Sequence, residues 1–336
     1  MRAVGYKHAL PIDQAESLID IELAKPTALG RDLLVQVKAV SVNPVDTKVR
    51  MRADPKGGEP KVLGYDATGI VAAVGPDVTL FKAGDEVWYA GSIMRPGTNS
   101  EFHLVDERIV GRKPKSLDFA TAAALPLTSI TAWEVLFDRF GVARNGGEGK
   151  SLLIIGGAGG VGSIAIQLAR TLTRLTVIAT ASRPQTQSWC RELGAHHVID
   201  HSKPMGEQLK AIGLRFVDYV FGVTESGEHF DTIADVIAPQ GKFALIDDPK
   251  PLDIAKLKGK SVSLHWEAMF TRSTFQTPDM AEQHRLLNEV ARMVDQGTIR
   301  TTVAENLGVI NAANLRRAHA MVESGRMRGK VVLEGF

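Results

Sequence analysis

Three glycines, Gly157, Gly159 and Gly162, stand in the spacing G-x-G-x-x-G between the apolar run 152–155 and a segment of helical periodicity. A turn of this kind, between a strand buried on both faces and a helix, cradles the pyrophosphate of a dinucleotide. Gly157 permits the tight turn, Gly159 lets backbone N–H groups approach the phosphates, and Gly162 lets the helix lie close on its strand. Ala158, Gly160 and Val161 complete the loop and the first helical turn, where free N–H groups and partial positive charge favour an anion. Ile164, Leu168 and Leu172 then recur on one helix face, with Ala165 and Ala169 beside them.

The residues after the next strand bear on which dinucleotide is held. A site for NAD carries an acidic residue about 20 positions beyond the glycines, bonded to the ribose 2′-hydroxyl. No Asp or Glu occurs between Gly149 and Arg191, and the predicted strand 175–180 runs into Ala181, Ser182 and Arg183. A hydroxyl and a guanidinium suit a 2′-phosphate, which a carboxylate would repel. The expected cofactor is therefore NADPH, held by the glycine turn, Ser182 and Arg183.

These residues need a parallel sheet to position them. From about residue 126 the chain alternates helices and strands: a helix over 130–140, the strand 152–155, the strand 175–180, a helix over 185–193, strands at 197–200, 217–221 and 242–246, and a helix over 230–238. That rhythm predicts a doubly wound parallel sheet, and the segment 261–266 would add an edge strand. Phe221, at the end of the strand 217–221, joins the expected cofactor residues. The first 120 residues read instead as β-rich, with strands at 34–40, 69–75 and 86–89, frequent Gly and Pro, and a polar loop over 51–60. The last part predicts helices over 278–296 and 315–323 and a terminal strand at 330–333.

Composition sets the outer bounds. A chain of 336 residues with 44% hydrophobic and 23% charged residues reads as a soluble two-domain protein. The net charge of +2 and scattered basic residues fit no nucleic-acid module. The single cysteine, Cys190, forbids an intrachain disulfide and a cysteine-rich zinc site, and its neighbours Trp189 and Leu193 predict burial. The first residues have no apolar stretch of signal-peptide length, and no run is expected to cross a membrane. A cytoplasmic setting is the expectation.

Several motifs in one order resemble the medium-chain dehydrogenase/reductase superfamily, and within it the zinc-less quinone oxidoreductase-like branch. They are Val42-Asn43-Pro44-Val45-Asp46, then Leu63-Gly64-Tyr65-Asp66-Ala67-Thr68-Gly69, then Val74-Gly75 with Gly84-Asp85 and Val87. Ala124-Leu125-Pro126 with Thr131-Ala132-Trp133, the glycine turn, and Gly329-Lys330-Val331-Val332-Leu333 follow. The resemblance implies an α/β chain in two parts. A GroES-like β-barrel catalytic domain, residues 1–125 and 268–336, would flank a Rossmann NADPH-binding domain, residues 126–267. It also implies a substrate cleft beside the nicotinamide.

Zinc members of that superfamily hold their metal with a Cys, a Gly-His-Glu motif and a third ligand. Asn43 and Gly64-Tyr65-Asp66 stand at the first two of these places here, so no metal is expected. His196, His197 and His201 are the rival ligand set, placed at the end of a strand away from the expected hydride. Without zinc to stabilise an alkoxide, the favoured chemistry is hydride transfer to quinones or α,β-unsaturated carbonyls. Their developing oxyanion needs only hydrogen-bond donors.

The resemblance offers Asn43, Tyr65 and Thr128 as catalytic candidates. Asn43 would donate its amide near the nicotinamide, or only form a turn before Pro44. Tyr65 would line the cleft or merely pack, and Thr128 would bond the nicotinamide ribose. Lys330 would reach the cofactor or form a surface salt bridge. Trp266 and Phe270 would wall the substrate site or serve a domain interface, and Lys48, also placed at the cleft, stands where several quinone reductases carry a tyrosine, so their substrate contacts do not transfer to it. An enoyl-thioester reductase, with Tyr65 as acid and Arg50 or Arg52 at a channel mouth, is the alternative within enzymes. A non-catalytic NADPH-binding redox sensor or structural protein is the alternative outside them. A homodimer is expected along the edge strand 261–266.

Overall fold

The strand Ser151–Ile155 is buried along its whole length, as a strand covered by helices on both faces must be. Parallel neighbours flank it on both sides, in the spatial order His197–Ile199, Thr176–Thr180, Ser151–Ile155, Val217–Gly222, Ile237–Leu245, Ser263–Trp266. Every pairing in this sheet is parallel, and the order is that of a doubly wound Rossmann sheet. The helix Gly160–Leu172 is buried on every face from Gly162 to Ala169, Ile164, Ala165, Leu168 and Ala169 included, and is exposed only at Arg170 and Thr171 near its end, as a helix enclosed in a core is. This sheet and its helices form one compact unit, Thr131–Met269. The computed structural model describes all residues from Met1 to Phe336.

Two helices of this unit differ from expectation. The helix Met205–Ala211 was not predicted; it is short and contains Gly206, so it offers little periodicity to read. The helix foreseen over 130–140 is an α-helix, Pro126–Trp133, that passes into a π-helical stretch, Glu134–Arg139. Taken with the preceding short helix Phe119–Ala123, the stretch Phe119–Arg139 is 21 residues long with a mean hydropathy of 1.3. It is long and apolar enough to cross a membrane, against the expectation of no such run. However, 83% of its most apolar window is buried in the protein, as in a core helix.

The other unit comprises Met1–Ile130 and Phe270–Phe336 and is β-rich, as its punctuation predicted. Its central strand, Asp32–Ser41, exposes Gln36 and buries the apolar residues around it. This strand pairs antiparallel with Ala67–Val74, Phe102–Asp106 and Lys330–Glu334. A smaller sheet has Arg2–Tyr6 in the middle, with Ile19–Glu22 on one side and Lys61–Val62 on the other. Leu33, Val35, Val37, Val40, Leu63, Val331 and Leu333 share one core.

The helix Pro44–Arg52 is a correction to the reading of 51–60 as loop, because Met51 and Arg52 belong to it. Its signal was present. Asn43 precedes a proline at the first helical position, and the Asp46 carboxylate accepts the Asn43 backbone N–H at 2.8 Å, in the manner of a capping box.

Candidate functional site

The dinucleotide cradle lies at the end of the strand Ser151–Ile155. Gly156 N–H donates to Thr180 Oγ1 at 3.0 Å and Gly157 N–H to Thr180 O at 3.1 Å. The loop is thereby pinned to the neighbouring strand. The tight turn falls on Gly156, whose φ is +85°, and not on Gly157 as the spacing had implied. Gly157 is needed for a different reason, since a Cβ there would sit 2.7 Å from Ala179 Cβ and 3.3 Å from Cys190 Sγ. Gly162 does allow close packing: its Cβ would meet Gly156 O at 2.3 Å. Gly159 has room, with its nearest neighbour 3.6 Å from where a Cβ would be. No side chain caps the helix that opens at Gly160, so its N-terminal N–H groups remain for a pyrophosphate. Ala158 is buried and Val161 half-buried at this turn.

Ser182 and Arg183 follow the Thr180 anchor directly and are exposed. Both adjoin the loop that the cradle hydrogen bonds tie down. Phe221 is a correction. It is 0% exposed, with its backbone paired to Ile154 and Ala244 in mid-sheet, so its ring packs the interior and is closed to a cofactor. Cys190 is buried as expected, and burial pushes its thiol up to about 12, which leaves it unreactive. Trp266 lies on the outer strand of this unit's sheet and is 58% exposed.

In the β-rich unit the catalytic candidates converge on a buried ionic network. Asp66 Oδ2 accepts from Ser41 Oγ at 2.8 Å, Asn43 Nδ2 at 2.8 Å and Lys330 Nζ at 3.3 Å. Asp66 Oδ1 accepts the Leu127 N–H at 2.8 Å. Lys330 Nζ also donates to Val42 O at 2.8 Å and Asn43 Oδ1 at 2.5 Å. Burial pushes the Asp66 carboxyl up, and Lys330, Asn43, Leu127 and Ser41 pull it back. Burial likewise pushes the Lys330 ammonium down, against the attraction of Asp66 and Asp46. Asp46 bridges the Asn43 and Gly64 N–H groups at 2.8 and 2.9 Å. Burial lifts its carboxyl to about 7, with those two N–H groups opposing the shift.

This network corrects two assignments, and a local helix bond corrects a third. Lys330 is 3% exposed and its ammonium is committed to three oxygens, so it makes neither a surface salt bridge nor a free cofactor contact. Asn43 directs its amide to Asp66 and, at 3.4 Å, to Tyr65 O. It is an interior bridge, with no donor turned toward a substrate. Thr128 is 1% exposed and donates to Leu125 O at 3.0 Å, which stabilises its own helix. The sequence offered these residues as separate contacts to cofactor or substrate and could not show that Asn43 and Lys330 bond one another. Ser41 was missed as a member of that cluster, and Asp66 was named only as part of Gly64-Tyr65-Asp66, with no sign that it would bind Asn43 and Lys330.

Tyr65 behaves differently. Its ring stands edge-on to Phe270, with centroids 5.2 Å apart, and its hydroxyl is enclosed with no hydrogen-bond partner. Burial, then the Asp46 charge, push its ionisation well above the ordinary phenol value. It therefore remains a neutral donor across the physiological range. Lys48 is half-buried on the helix Pro44–Arg52. Arg50 is fully buried and paired with Glu323, which removes it from any channel mouth.

The histidines do not form a metal set. The His196 ring accepts the Val177 N–H at 2.8 Å and meets Arg170. The strand stops at Ile199, so His201 lies beyond it. No group of three or more His, Cys, Asp or Glu side chains is placed to hold a metal ion.

Residues 30–115 match the alcohol dehydrogenase GroES-like domain, and residues 193–333 match the family described as zinc-binding dehydrogenase. A zinc-type alcohol dehydrogenase-like protein, SAS2087, of Staphylococcus aureus (strain MSSA476) is 40% identical over 99% of both chains. This chain belongs to the medium-chain dehydrogenase/reductase superfamily. A solved putative zinc-dependent alcohol dehydrogenase of Rhizobium etli CFN 42 shares the fold at a TM-score of 0.95. It is 63% identical to this chain, over 100% of this chain and 98% of that one. The human mitochondrial NAD(P)H oxidoreductase RTN4IP1 is 33% identical over 90% of this chain and 81% of its own.

As a medium-chain dehydrogenase/reductase the chain is an oxidoreductase that uses a nicotinamide cofactor. The cradle fits that cofactor. Zinc does not fit the residues at its superfamily positions. An ammonium, Lys330 Nζ, already sits among Asp66, Asn43 and Val42, and it would repel a second cation where zinc requires thiolate or imidazole ligands.

Proposed function

We propose that this chain is an NADPH-dependent, metal-independent reductase of quinones or α,β-unsaturated carbonyls. The observation that carries the reading is the buried Lys330–Asp66–Asn43 network, which includes Asn43 and Asp66 at the positions that the superfamily resemblance assigns to metal ligands. With those groups mutually satisfied, no Lewis acid is available to an alkoxide, and acceptors already poor in electrons are the easier substrates. Hydride delivered to carbon leaves an enolate-like or phenolate-like oxygen, which a hydrogen-bond donor stabilises. Tyr65 supports this role. Its hydroxyl lacks an acceptor, an omission that costs stability, and because the residue is fully buried a substrate oxygen would supply what is missing once the ring turns to meet it. Asp46 and Asp66 hold the backbone on either side of Tyr65 through Gly64 N–H and the Asn43 amide. When bound, the cofactor supplies the hydride. Ser182 and Arg183 would read its 2′-phosphate.

A steady-state screen of quinones, enones, enoyl thioesters, simple aldehydes and alcohols tests the proposal. Turnover of quinones or enones with NADPH is expected, with far less than stoichiometric zinc by elemental analysis and no loss of rate on chelation. Stoichiometric zinc whose removal abolishes turnover would sink it. So would preference for enoyl thioesters, or tight NADPH binding with no turnover on any acceptor, which would mark a binding protein.

We also propose a homodimer in a cytoplasmic setting. The strand Ser263–Trp266 ends the parallel sheet with an open edge, and its Trp266 is largely exposed. Pairing with a symmetry mate would cover both the unpaired backbone and the indole. Light scattering at micromolar concentration should give twice the chain mass, and a monomer would rule the arrangement out.

A further inference from the structure

Glu134 and Glu267 form a buried carboxyl pair beside the carboxyl-terminal rim of the parallel sheet, where a dinucleotide lies. Ile155, Gly222, Leu245 and Trp266 stand in one row across four adjacent strands. The residues that follow them make the rim. Val223 N–H donates to Ile155 O at 3.1 Å, Ile246 N–H to Gly222 O at 3.3 Å and Glu267 N–H to Leu245 O at 3.0 Å. Gly156 of the glycine turn follows Ile155 and belongs to the same rim. In a sheet of this kind the adenosine ribose lies at the end of the second strand, here Thr176–Thr180. The nicotinamide half therefore runs the other way from the glycine turn, toward Glu267.

The Glu267 side chain turns inward from that rim and is buried beside Glu134. Glu134 opens the π-helical stretch that Arg139 closes. Arg139 Nε donates to Glu267 Oε2 at 2.8 Å, and its Nη2 stands 3.9 Å from Glu134 Oε2. Glu267 Oε1 is enclosed and meets no donor, with the Glu134 carboxyl as its hydrogen-bonding neighbour. An ionised carboxylate only accepts, so a bond between the two requires a proton. Burial, then the Glu134 charge, push the Glu267 carboxyl up to about 9, and Arg139 opposes them. Two other basic groups lie close by. Lys242 donates to Phe140 O at 2.7 Å. His265 is held below the ordinary imidazole range by burial, then by Lys242 and Arg139, so it brings no charge to the cluster above pH 7.

We infer that Glu267 and Glu134 form a proton-linked latch, which with one proton between them fixes the end of the last strand against the π-helical stretch and so positions the nicotinamide end of the crevice. Loss of the proton sets two carboxylates against each other in a buried place and loosens that end. π-Helical turns are frequent at functional sites, and here the turn supplies one half of the latch. The device acts on either dinucleotide alike, whichever of the two the protein prefers, because NADH and NADPH share their nicotinamide half.

Fluorescence titration of the full-length protein with NADPH and with NADH, between pH 7.5 and 9.5, tests this. The cofactor phosphates keep their charge across that range, since the second ionisation of a phosphate monoester lies near pH 6. Affinity for both cofactors is expected to fall about fourfold, the loss for a ligand that binds only the proton-bearing form, half a unit above its value. Glu267→Gln, whose amide donates to Glu134 and does not ionise, is expected to lose this slope. Glu267→Ala, which offers no donor, is expected to weaken both cofactors at every pH. Stability gives a second measurement. The folded acid keeps a proton that the unfolded chain releases above about pH 4, so the native urea midpoint should fall relative to that of Glu267→Gln as pH rises from 6 toward 9. Native affinity that does not change with pH, equal slopes in the native and Glu267→Gln proteins, or a midpoint difference that is the same at pH 6 and pH 9 would each overturn the latch. A preference for NADH would overturn the NADPH reading and leave the latch standing.

Discussion

Replacing Lys330 by methionine is expected to cost about 3–5 kcal/mol of folding stability at pH 8, the usual penalty for leaving one member of a buried ion pair without its partner. Methionine keeps the bulk and removes the charge. Asp66, fully buried, then retains Ser41, Asn43 and the Leu127 N–H but loses its counter-ion. Its carboxyl is already raised by burial, and removing the ammonium raises it further. An acid with a raised value in the folded state keeps its proton where the unfolded chain has released it. The variant is therefore least impaired near the unfolded carboxylate value, about 4. Its stability falls as pH rises from there toward the folded value. Urea midpoints at pH 5 and pH 8 measure the effect. Asp66→Asn combined with Lys330→Met should recover much of the loss, because no unpaired charge remains. A single variant within about 1 kcal/mol of the native protein at pH 8, the size of an exposed ion pair, would show that the network does not hold the unit together.

The preference for NADPH should rest on Arg183 with Ser182. A hydrogen bond to a charged group contributes about 1.5–3 kcal/mol. One from each residue gives on the order of 10²- to 10⁴-fold before solvent screening reduces it. Both residues are exposed, so screening matters, and Arg183→Ala should raise the KM for NADPH at least about tenfold. The KM for NADH should scarcely change. Turnover at saturating cofactor should hold, because the phosphate is remote from the transferred hydride and contributes equally to ground and transition states. A variant that weakens both cofactors alike would make Arg183 structural, and a native preference for NADH would refute the argument from the missing acid after Thr180.

Local chemistry made much of this protein legible. The apolar run at Leu152–Ile155 and the glycine spacing determined a strand, a turn and a helix, because periodicity and steric freedom are properties of a few adjacent residues. The alternation of strands and helices after residue 126 determined the doubly wound sheet for the same reason. The residues at the superfamily's metal positions could also be read directly, since a side chain's donor atoms are fixed by its type.

Tertiary structure decided what those residues do. Asn43, Asp66 and Lys330 are separated by 23 and 264 positions in their contacts, and the pairing of Asp32–Ser41 with both Ala67–Val74 and Lys330–Glu334 brings them together. A buried charge must find a partner, and sequence alone does not say whether that partner is a cofactor, solvent or another side chain. The same holds for Phe221, whose place at a strand end looked open and whose ring is enclosed. It holds for His201, which the strand's early end turned away from His197 and toward His229. Periodicity reports which face of an element is covered, whereas the choice of partner depends on which distant elements the fold lays against it.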